Sequence, residues 1–167
     1  VFAARGAQSV RIGQGVDVHA FDQIGSADSV RLGGVDILHD RRLIAHSDGD
    51  VVLHALMDAL LGAAALGDIG QHFSDSDPAY AGADSMMLLK QVDQMIRAEG
   101  YAFGNADITI AAERPKIAPH ASDMRACIAD ALGVDQNQIS IKATTTEGLG
   151  LVGREEGILV TAVVLLV

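Results

Sequence analysis

Apolar and polar positions along this chain follow two different periods, and segments of the two kinds alternate. The strands that β-branched residues predict cover 10–21, 106–112, 139–144 and 158–167. The helices that apolar residues at helical spacing predict cover 51–66, 83–99 and about 119–132. This alternation predicts an α+β fold class, a two-layer α/β sandwich in which a mixed sheet carries helices on one face.

Three segments support finer local predictions. Gly13 and Gly15 interrupt the first strand and predict a β-bulge there. A short hairpin over 30–38 is expected to turn at Gly33-Gly34. The last strand is apolar at nearly every position, which predicts burial on both faces, either under helices or in a subunit interface.

The chain reads as one domain over residues 11–167, because no repeat or linker divides it. Residues 1–10 are expected to be an extra N-terminal segment. They fit a tag remnant or a linker from a longer polypeptide, and the alternative is an ordinary native start.

Composition excludes several classes of partner. The 167 residues are 49% hydrophobic, enough for a sizeable core, and carry 12 basic against 22 acidic residues, a formal charge of -10. A basic groove for nucleic acid is therefore not expected. No apolar run approaches the roughly 20 residues that span a bilayer, so no membrane partner is expected either. The single cysteine, Cys127, excludes a disulfide framework and is interpreted as a core residue.

A candidate metal site comes from one strand and one helix. Asp17 and His19 stand two residues apart in the first strand, so their side chains share a face. His54 on the first long helix would complete a three-ligand set that leaves Zn²⁺ an open position, as catalytic zinc requires. Asp50 or Asp58, each one helical turn from His54, would orient its ring. The alternative is a surface carboxylate and two unrelated histidines.

Several loops carry weaker signals, each with a structural alternative. Residues 46–50 (HSDGD) precede the first helix, where capping alone explains some of the polar side chains. Asp68 suits a sugar diol but also a turn. Lys116 follows a strand and a rigid proline, and 144–147 (TTTE) offers hydroxyls for phosphate and a glutamate for Mg²⁺, although threonine triplets are also common in strands.

Taken together and in order, these segments are specific. The five that carry the similarity are GQGVDVHAF (13–21), HSDGDVVLHALMDALLGAAALGDIG (46–70), FSDSDP (73–78), ERPKIAPH (113–120) and KATTTEGLG (142–150). Over about residues 10–167 the chain resembles the 2-C-methyl-D-erythritol 2,4-cyclodiphosphate synthases of the non-mevalonate isoprenoid pathway. The resemblance implies a homotrimer with active sites between adjacent subunits.

The resemblance also assigns roles to individual residues. Asp17, His19 and His54 match ligands of one Zn²⁺ per subunit, and Glu147 matches the ligand of a second ion, Mg²⁺ or Mn²⁺. His46 and Thr145 match positions that stabilise the transition state. The remaining matches are substrate contacts. Those to the methylerythritol part and the ribose are Ser47, Asp68, Ile69, Gly70, Phe73, Asp75 and Asp77. Those to the cytosine and phosphates are Ala112, Lys116, Ile117, Ala118 and Thr144.

The implied reaction converts 4-diphosphocytidyl-2-C-methyl-D-erythritol 2-phosphate to the 2,4-cyclodiphosphate with release of CMP. Arg154 matches an arginine near the trimer axis, where the family can hold an isoprenoid diphosphate. Around that cavity the chain has Val16, Leu151 and Glu155, where the family often has aromatic residues at the first two and glycine at the third; Gly148 stands where it usually has lysine. The resemblance implies a bacterial cytoplasm, or a plastid stroma in a plant.

Two other functions remain open from the residues alone. A His₂Asp zinc set also suits a phosphoester hydrolase. The same acidic residues suit a non-catalytic trimeric module that binds a nucleotide. Some relatives carry a cytidylyltransferase upstream, to which residues 1–10 would be the linker.

Overall fold

The computed structural model describes residues 10–74 and 82–167, and its main sheet has four strands. In chain order the strands of the protein are β1 (Arg11–Ala20), β2 (Ser29–Leu32), β3 (Val35–Leu38), β4 (Phe103–Ala111), β5 (Ile139–Thr144) and β6 (Gly157–Leu166). The main sheet has the order β1-β6-β4-β5, in which the β4–β5 pair is parallel and the other two pairs are antiparallel. Strands β2 and β3 form a separate hairpin that turns at Gly33-Gly34, as predicted. The expected mixed sheet is confirmed.

Three long helices lie on one face of this sheet. The helices are α1 (Val51–Ala63), α2 (Ile69–His72), α3 (Ser85–Ala98), α4 (Ala121–Leu132) and α5 (Gly150–Gly153), with 3₁₀ turns at Ala118–His120 and Gln136–Gln138. Helix α1 packs on β1 and β6, α4 packs on β5, and α3 lies between α1 and α4. Asp84 caps α3, and α4 ends at the left-handed Gly133. No helix among the described residues has both the length and the apolar character to cross a membrane.

The predicted bulge in β1 is wrong. All ten residues of β1 pair one for one with β6, from Arg11 opposite Leu166 to Ala20 opposite Gly157. Gly13 and Gly15 have another cause: a Cβ at either position would lie 1.9 Å from a backbone oxygen of α1, that of Ala59 or Ala55. The glycines therefore let the helix backbone lie directly on the strand. The sheet's irregularity falls in β4 instead, between Phe103 and Asn105.

Asp50 ties the start of α1 to the hairpin. Its fully buried carboxylate accepts hydrogen bonds from the backbone N–H groups of Gly33 (2.8 Å), Gly34 (2.7 Å) and Leu53 (3.2 Å). The capping alternative is thus confirmed for this residue. Helix α1 ends three residues earlier than predicted, because Ala65 takes a positive φ of 60° and Leu66 donates its N–H to the Leu61 carbonyl.

Among the residues that the structure describes, β6 is covered on one face only. Ile158, Val160, Ala162, Val164 and Leu166 are buried under the helices, while the alternating residues face the other way. On that second face, Val163 of β6 is accompanied by exposed apolar residues of β1, among them Ile12 (71% exposed) and Val16 (55% exposed). Of the two expected covers, the helices supply one, and no other described residue covers the second face.

Candidate active site

Asp17, His19 and His54 meet where β1 crosses the start of α1. Asp17 and His19 share the helix-facing side of β1, and His54 faces them from the second turn of α1. The Asp17 Oδ2 atom lies 3.1 Å from His19 Nε2 and 3.2 Å from His54 Nδ1. One donor atom from each residue lies within 4.8 Å of the others, the spacing of a metal-ligand set. The two glycines under α1 set this approach of strand to helix.

The charges of the three groups support each other. Burial opposes ionisation of Asp17, but the hydrogen bond from His19 and the adjacent His54 ring hold its pKa well below the ordinary value. Burial also opposes protonation of His19, yet the Asp17 carboxylate raises the His19 pKa above its ordinary value. Both shifts show a carboxylate that attracts positive charge to this point. A divalent cation satisfies the same attraction, and the donor set of one oxygen and two imidazole nitrogens suits Zn²⁺.

The far side of the His54 ring contacts serines and not the two aspartates that the sequence predicts. His54 Nε2 lies 3.0 Å from Ser85 Oγ and 3.2 Å from Ser47 Oγ. Asp50 is used by the hairpin, and Asp58 accepts a hydrogen bond from the Ile69 N–H. The prediction that either would orient His54 is therefore wrong. Ser85 lies 31 residues from His54 in the chain, so no local spacing could have indicated it.

A cleft of about 340 Å³ opens beside the three ligands. Its walls include the metal set and five more of the predicted site residues, which are His46, Ser47, Ile69, Gly70 and Phe73. Asp68 stands at the edge of this region, where it caps the short helix α2 by accepting the Gln71 N–H. Asp75 and Asp77 lie outside the described residues. The structure thus gathers most of the residues predicted for the metal and for the sugar-like parts of a substrate.

A second cavity, of about 210 Å³, gathers the other predicted group. Its walls are Ala112, Pro115, Lys116, Ile117, Ala118, Ala143, Thr144 and Thr145. The six predicted residues among these come from the end of β4, the end of β5 and the loops that follow. Parallel β4 and β5 end at the same edge of the sheet, which explains why residues 30 positions apart meet there. None of the described residues lines both cavities.

Glu113 organises the threonine loop, a role that the sequence did not reveal. Its Oε1 atom accepts the backbone N–H groups of Thr146 (3.1 Å) and Gly148 (3.3 Å). Between them, Glu147 takes a positive φ of 53° and accepts a hydrogen bond from Thr145 Oγ1 at 3.2 Å. Thr145 and Glu147 are therefore neighbours, although Glu147 lines neither cavity.

The basic side chains near the predicted site contact polar groups close to them in the structure. Lys116 Nζ reaches the Glu113 carbonyl at 3.4 Å, and Lys142 pairs with Asp107 at 2.7 Å. Arg154 pairs with Glu156 beyond α5. Glu155 binds Arg41 and Arg114, so this acidic residue links the loop after β4 to the segment after β3. Lys142 thus contributes to an ion pair on the open sheet face.

The fold and the site together define a class: an α+β protein with a three-ligand site that suits a catalytic, and not a structural, divalent metal. The chain belongs to the YgbB family, whose model matches residues 10–167.

Curated relatives and solved structures agree with this membership. The 2-C-methyl-D-erythritol 2,4-cyclodiphosphate synthase of Acinetobacter baumannii is 64% identical over 157 residues, 94% of this chain and 96% of the relative. The bifunctional IspDF from Campylobacter jejuni superposes with a TM-score of 0.89 at 44% identity over 95% of this chain, which spans 42% of that longer protein. The Plasmodium falciparum IspF CDP complex has a TM-score of 0.83 at 33% identity, covering 97% of this chain and 98% of that one.

Proposed function

We propose that this protein converts 4-diphosphocytidyl-2-C-methyl-D-erythritol 2-phosphate to 2-C-methyl-D-erythritol 2,4-cyclodiphosphate and releases CMP. An oxygen of the 2-phosphate attacks the β-phosphorus and forms the P–O bond that closes the ring. The bond from the β-phosphorus to the CMP phosphate oxygen breaks, and CMP leaves with its electron pair. The observation that carries the proposal is the metal-ligand set in one cleft with predicted substrate contacts, in a chain 64% identical to a cyclodiphosphate synthase.

The attacking phosphate is already an anion, so no side-chain nucleophile is needed. Catalysis then consists of positioning and charge neutralisation. Asp17, His19 and His54 would hold Zn²⁺, and Glu147 a second ion, Mg²⁺ or Mn²⁺. Such cations would neutralise and polarise the diphosphate. His46 on the cleft wall and Thr145 beside Glu147 would donate hydrogen bonds to the phosphoryl oxygens in the transition state.

The nucleotide end of the substrate is assigned to the second cavity. Its walls are apolar at Ala112, Pro115 and Ile117 and polar at Lys116 and Thr144, which suits a flat base joined to a phosphate. A solved relative is described as a CDP complex, which supports a cytidine nucleotide as the ligand class. Ribose would lie against Asp68, Ile69 and Gly70, and the methylerythritol part against Ser47 and Phe73.

Assembly into a homotrimer would join the two cavities. In one chain they are lined by separate sets of residues, and a substrate with a sugar alcohol at one end and cytosine at the other has to occupy both. The open apolar face of β1 and β6 supplies a surface for association between copies. We therefore infer that each complete site combines the metal cleft of one subunit with the nucleotide cavity of its neighbour. Arg154, between α5 and the start of β6, would then face the trimer axis, where an isoprenoid diphosphate is the candidate ligand.

The experiment that tests the reaction is product analysis with the cytidyl substrate. Purified protein with Zn²⁺ and Mg²⁺ is expected to release one CMP per substrate and to give two mutually coupled ring phosphates by ³¹P NMR. Chelation should stop both, and restored metal should recover them.

Other outcomes identify the alternatives. A linear phosphate product would show a hydrolase. Nucleotide binding without CMP release, unchanged by chelation, would show a binding module. Either result would overturn the proposal.

A further inference from the structure

A buried chain of hydrogen bonds leads away from the metal cleft through His54, Ser85 and Asp48. Ser85 is completely buried and His54 nearly so. The Ser85 hydroxyl lies 3.0 Å from His54 Nε2 on one side and makes a short hydrogen bond to Asp48 Oδ1 on the other. Asp48 lies in the loop before α1, and Ser85 is the first residue of α3.

The partners of Asp48 fix the direction of this chain. Its carboxylate accepts the backbone N–H groups of Asp50 (3.2 Å) and Ser85 (3.0 Å), with the Arg31 guanidinium 3.8 Å away. The donors around the Asp48 carboxylate make it a hydrogen-bond acceptor, so the Ser85 hydroxyl has to donate to it. That donation leaves the Ser85 oxygen only lone pairs for His54. His54 Nε2 must therefore carry a hydrogen and donate it to Ser85.

The hydrogen on Nε2 also determines the state of the opposite ring nitrogen, Nδ1. With its hydrogen on Nε2, neutral His54 has a lone pair on Nδ1, and Nδ1 faces Asp17 Oδ2 at 3.2 Å. Two lone pairs at this distance repel unless a cation lies between them. The hydrogen bonds from His54 to Ser85 and from Ser85 to Asp48 thus leave the Nδ1 lone pair free to bind a metal ion.

We propose that Asp48 and Ser85 are positioning residues that hold His54 in its Nε2–H tautomer, so that Nδ1 is presented to a divalent cation shared with Asp17 and His19. This inference rests on the metal site of the proposed function. Ser47, at 3.2 Å from the same nitrogen, is a weaker second acceptor whose oxygen also accepts the Gly49 N–H.

Two substitutions test the chain of donors by Zn²⁺ affinity, measured in competition with a chromophoric chelator. Ser85→Ala removes the acceptor, and we expect the dissociation constant for Zn²⁺ to rise about 10- to 100-fold. Asp48→Asn can donate to Ser85, which would turn the serine hydroxyl toward Nε2 and favour the wrong tautomer. We expect a loss at least as large.

Asp84→Ala is the matched control. Asp84 caps the same helix by accepting the Met86 N–H but does not belong to the chain of donors. It should weaken the start of α3 and leave Zn²⁺ affinity within about 3-fold of the wild type. Equal losses in Ser85→Ala and Asp84→Ala would show that the helix start matters and the hydroxyl does not, and would overturn the proposal.

A measurement on the unaltered protein reads the tautomer directly. In ¹⁵N-histidine-labelled, Zn²⁺-loaded protein, the His54 signals are those absent from His54→Gln. We expect the attached hydrogen on Nε2, and a hydrogen on Nδ1 would overturn the proposal. If the wild type binds no cation at these ligands, the metal site of the proposed function fails. If it binds and Ser85→Ala binds equally well, only the positioning role fails.

Discussion

Single residues at the cleft act through charge and through the choice of donor atom. Asp17 contacts both histidines through the same oxygen, and it is the one carboxylate in this three-residue set. Its ionised form is stabilised by the hydrogen bond from His19. An asparagine at this position has nearly the same shape but no charge, so the charge of Asp17 can be tested separately from its size.

We expect Asp17→Asn to keep the fold and lose activity. Loss of a direct ligand should cost more than the 10- to 100-fold typical of outer partners, so CMP release should fall by more than about 100-fold. Steady-state CMP release and bound zinc per chain measure the two effects. Full activity with full zinc occupancy in this variant would contradict the role of Asp17.

His39 is a residue whose environment the sequence did not reveal. Its side chain is only 6% exposed, and its ring lies 4.8 Å from that of Phe21. Burial lowers the His39 pKa below its ordinary value of 6.5. The Asp40 carboxylate opposes this shift, while the charges of Arg41 and Arg114 reinforce it. A buried neutral histidine makes the free energy of unfolding depend on pH.

The sign of that dependence follows from the lowered pKa. The unfolded chain binds a proton at His39 as pH falls below about 6.5, while the folded chain resists it. His39 therefore contributes stability above pH 6.5 that is lost as pH falls toward its folded pKa. We expect the wild type to lose more free energy of unfolding than His39→Gln between pH 7.5 and 5.5, measured by urea denaturation with zinc present. Parallel losses would contradict this.

Secondary-structure elements were predictable where the cause is local. Helices α3 and α4 have an apolar period and, at one end, a residue whose chemistry stops or caps them, and both were predicted within a few residues. The short helices α2 and α5 were missed because four residues carry no period. The bulge in β1 was predicted wrongly, because glycine signals freedom of the backbone and close approach of a neighbour equally well. Only the packed neighbour decides between the two.

Candidate site residues divide in the same way. Asp17 and His19 were predictable as a pair because they are two residues apart on a strand, and His54 because one histidine on a packed helix completes the set. Ser85, Asp48 as its partner, and Glu113 were not, since each contributes through a contact between distant segments.

The close packing of β1 on α1 gives a prediction at the scale of elements. In Gly15→Ala the added methyl group would meet the backbone oxygen of Ala55, so strand and helix must separate. We expect a loss of about 1–3 kcal/mol in unfolding free energy and weaker zinc binding. Gly62→Ala, on an open side of α1, is the control and should be neutral or stabilising by up to about 1 kcal/mol. Unchanged zinc affinity in Gly15→Ala would show that the packing of β1 on α1 does not determine the geometry of the metal site.

For the whole molecule, the net charge of -10 opposes binding of nucleic acid, but it also opposes binding of the proposed polyanionic substrate. The conflict is resolved locally, since Asp17 and Glu147 are proposed to bind cations and Lys116 lines the nucleotide cavity. Carboxylates at the site therefore serve to gather positive charge.

The proposed sharing of each site between two subunits predicts complementation between two inactive variants. Asp17→Asn damages the metal cleft and Lys116→Ala the nucleotide cavity. Random mixed trimers, formed by unfolding and refolding equal amounts together, should contain about a quarter of sites with both halves intact. Activity should return to about that fraction of the wild type. If each chain held a complete site, every site would carry one lesion and no activity would return.

The two faces of strand β1 carry different kinds of residue, and this difference has a thermodynamic consequence. One face presents Asp17 and His19 to His54, while the other carries Ile12 and Val16 on the open side of the sheet. If neighbouring subunits pack against the apolar face, the strand becomes more rigid, and the metal ligands on its other face are held more firmly in place. By linkage, the two equilibria must then favour each other equally. Zinc should lower the protein concentration at which chains associate, and association should tighten zinc by the same factor.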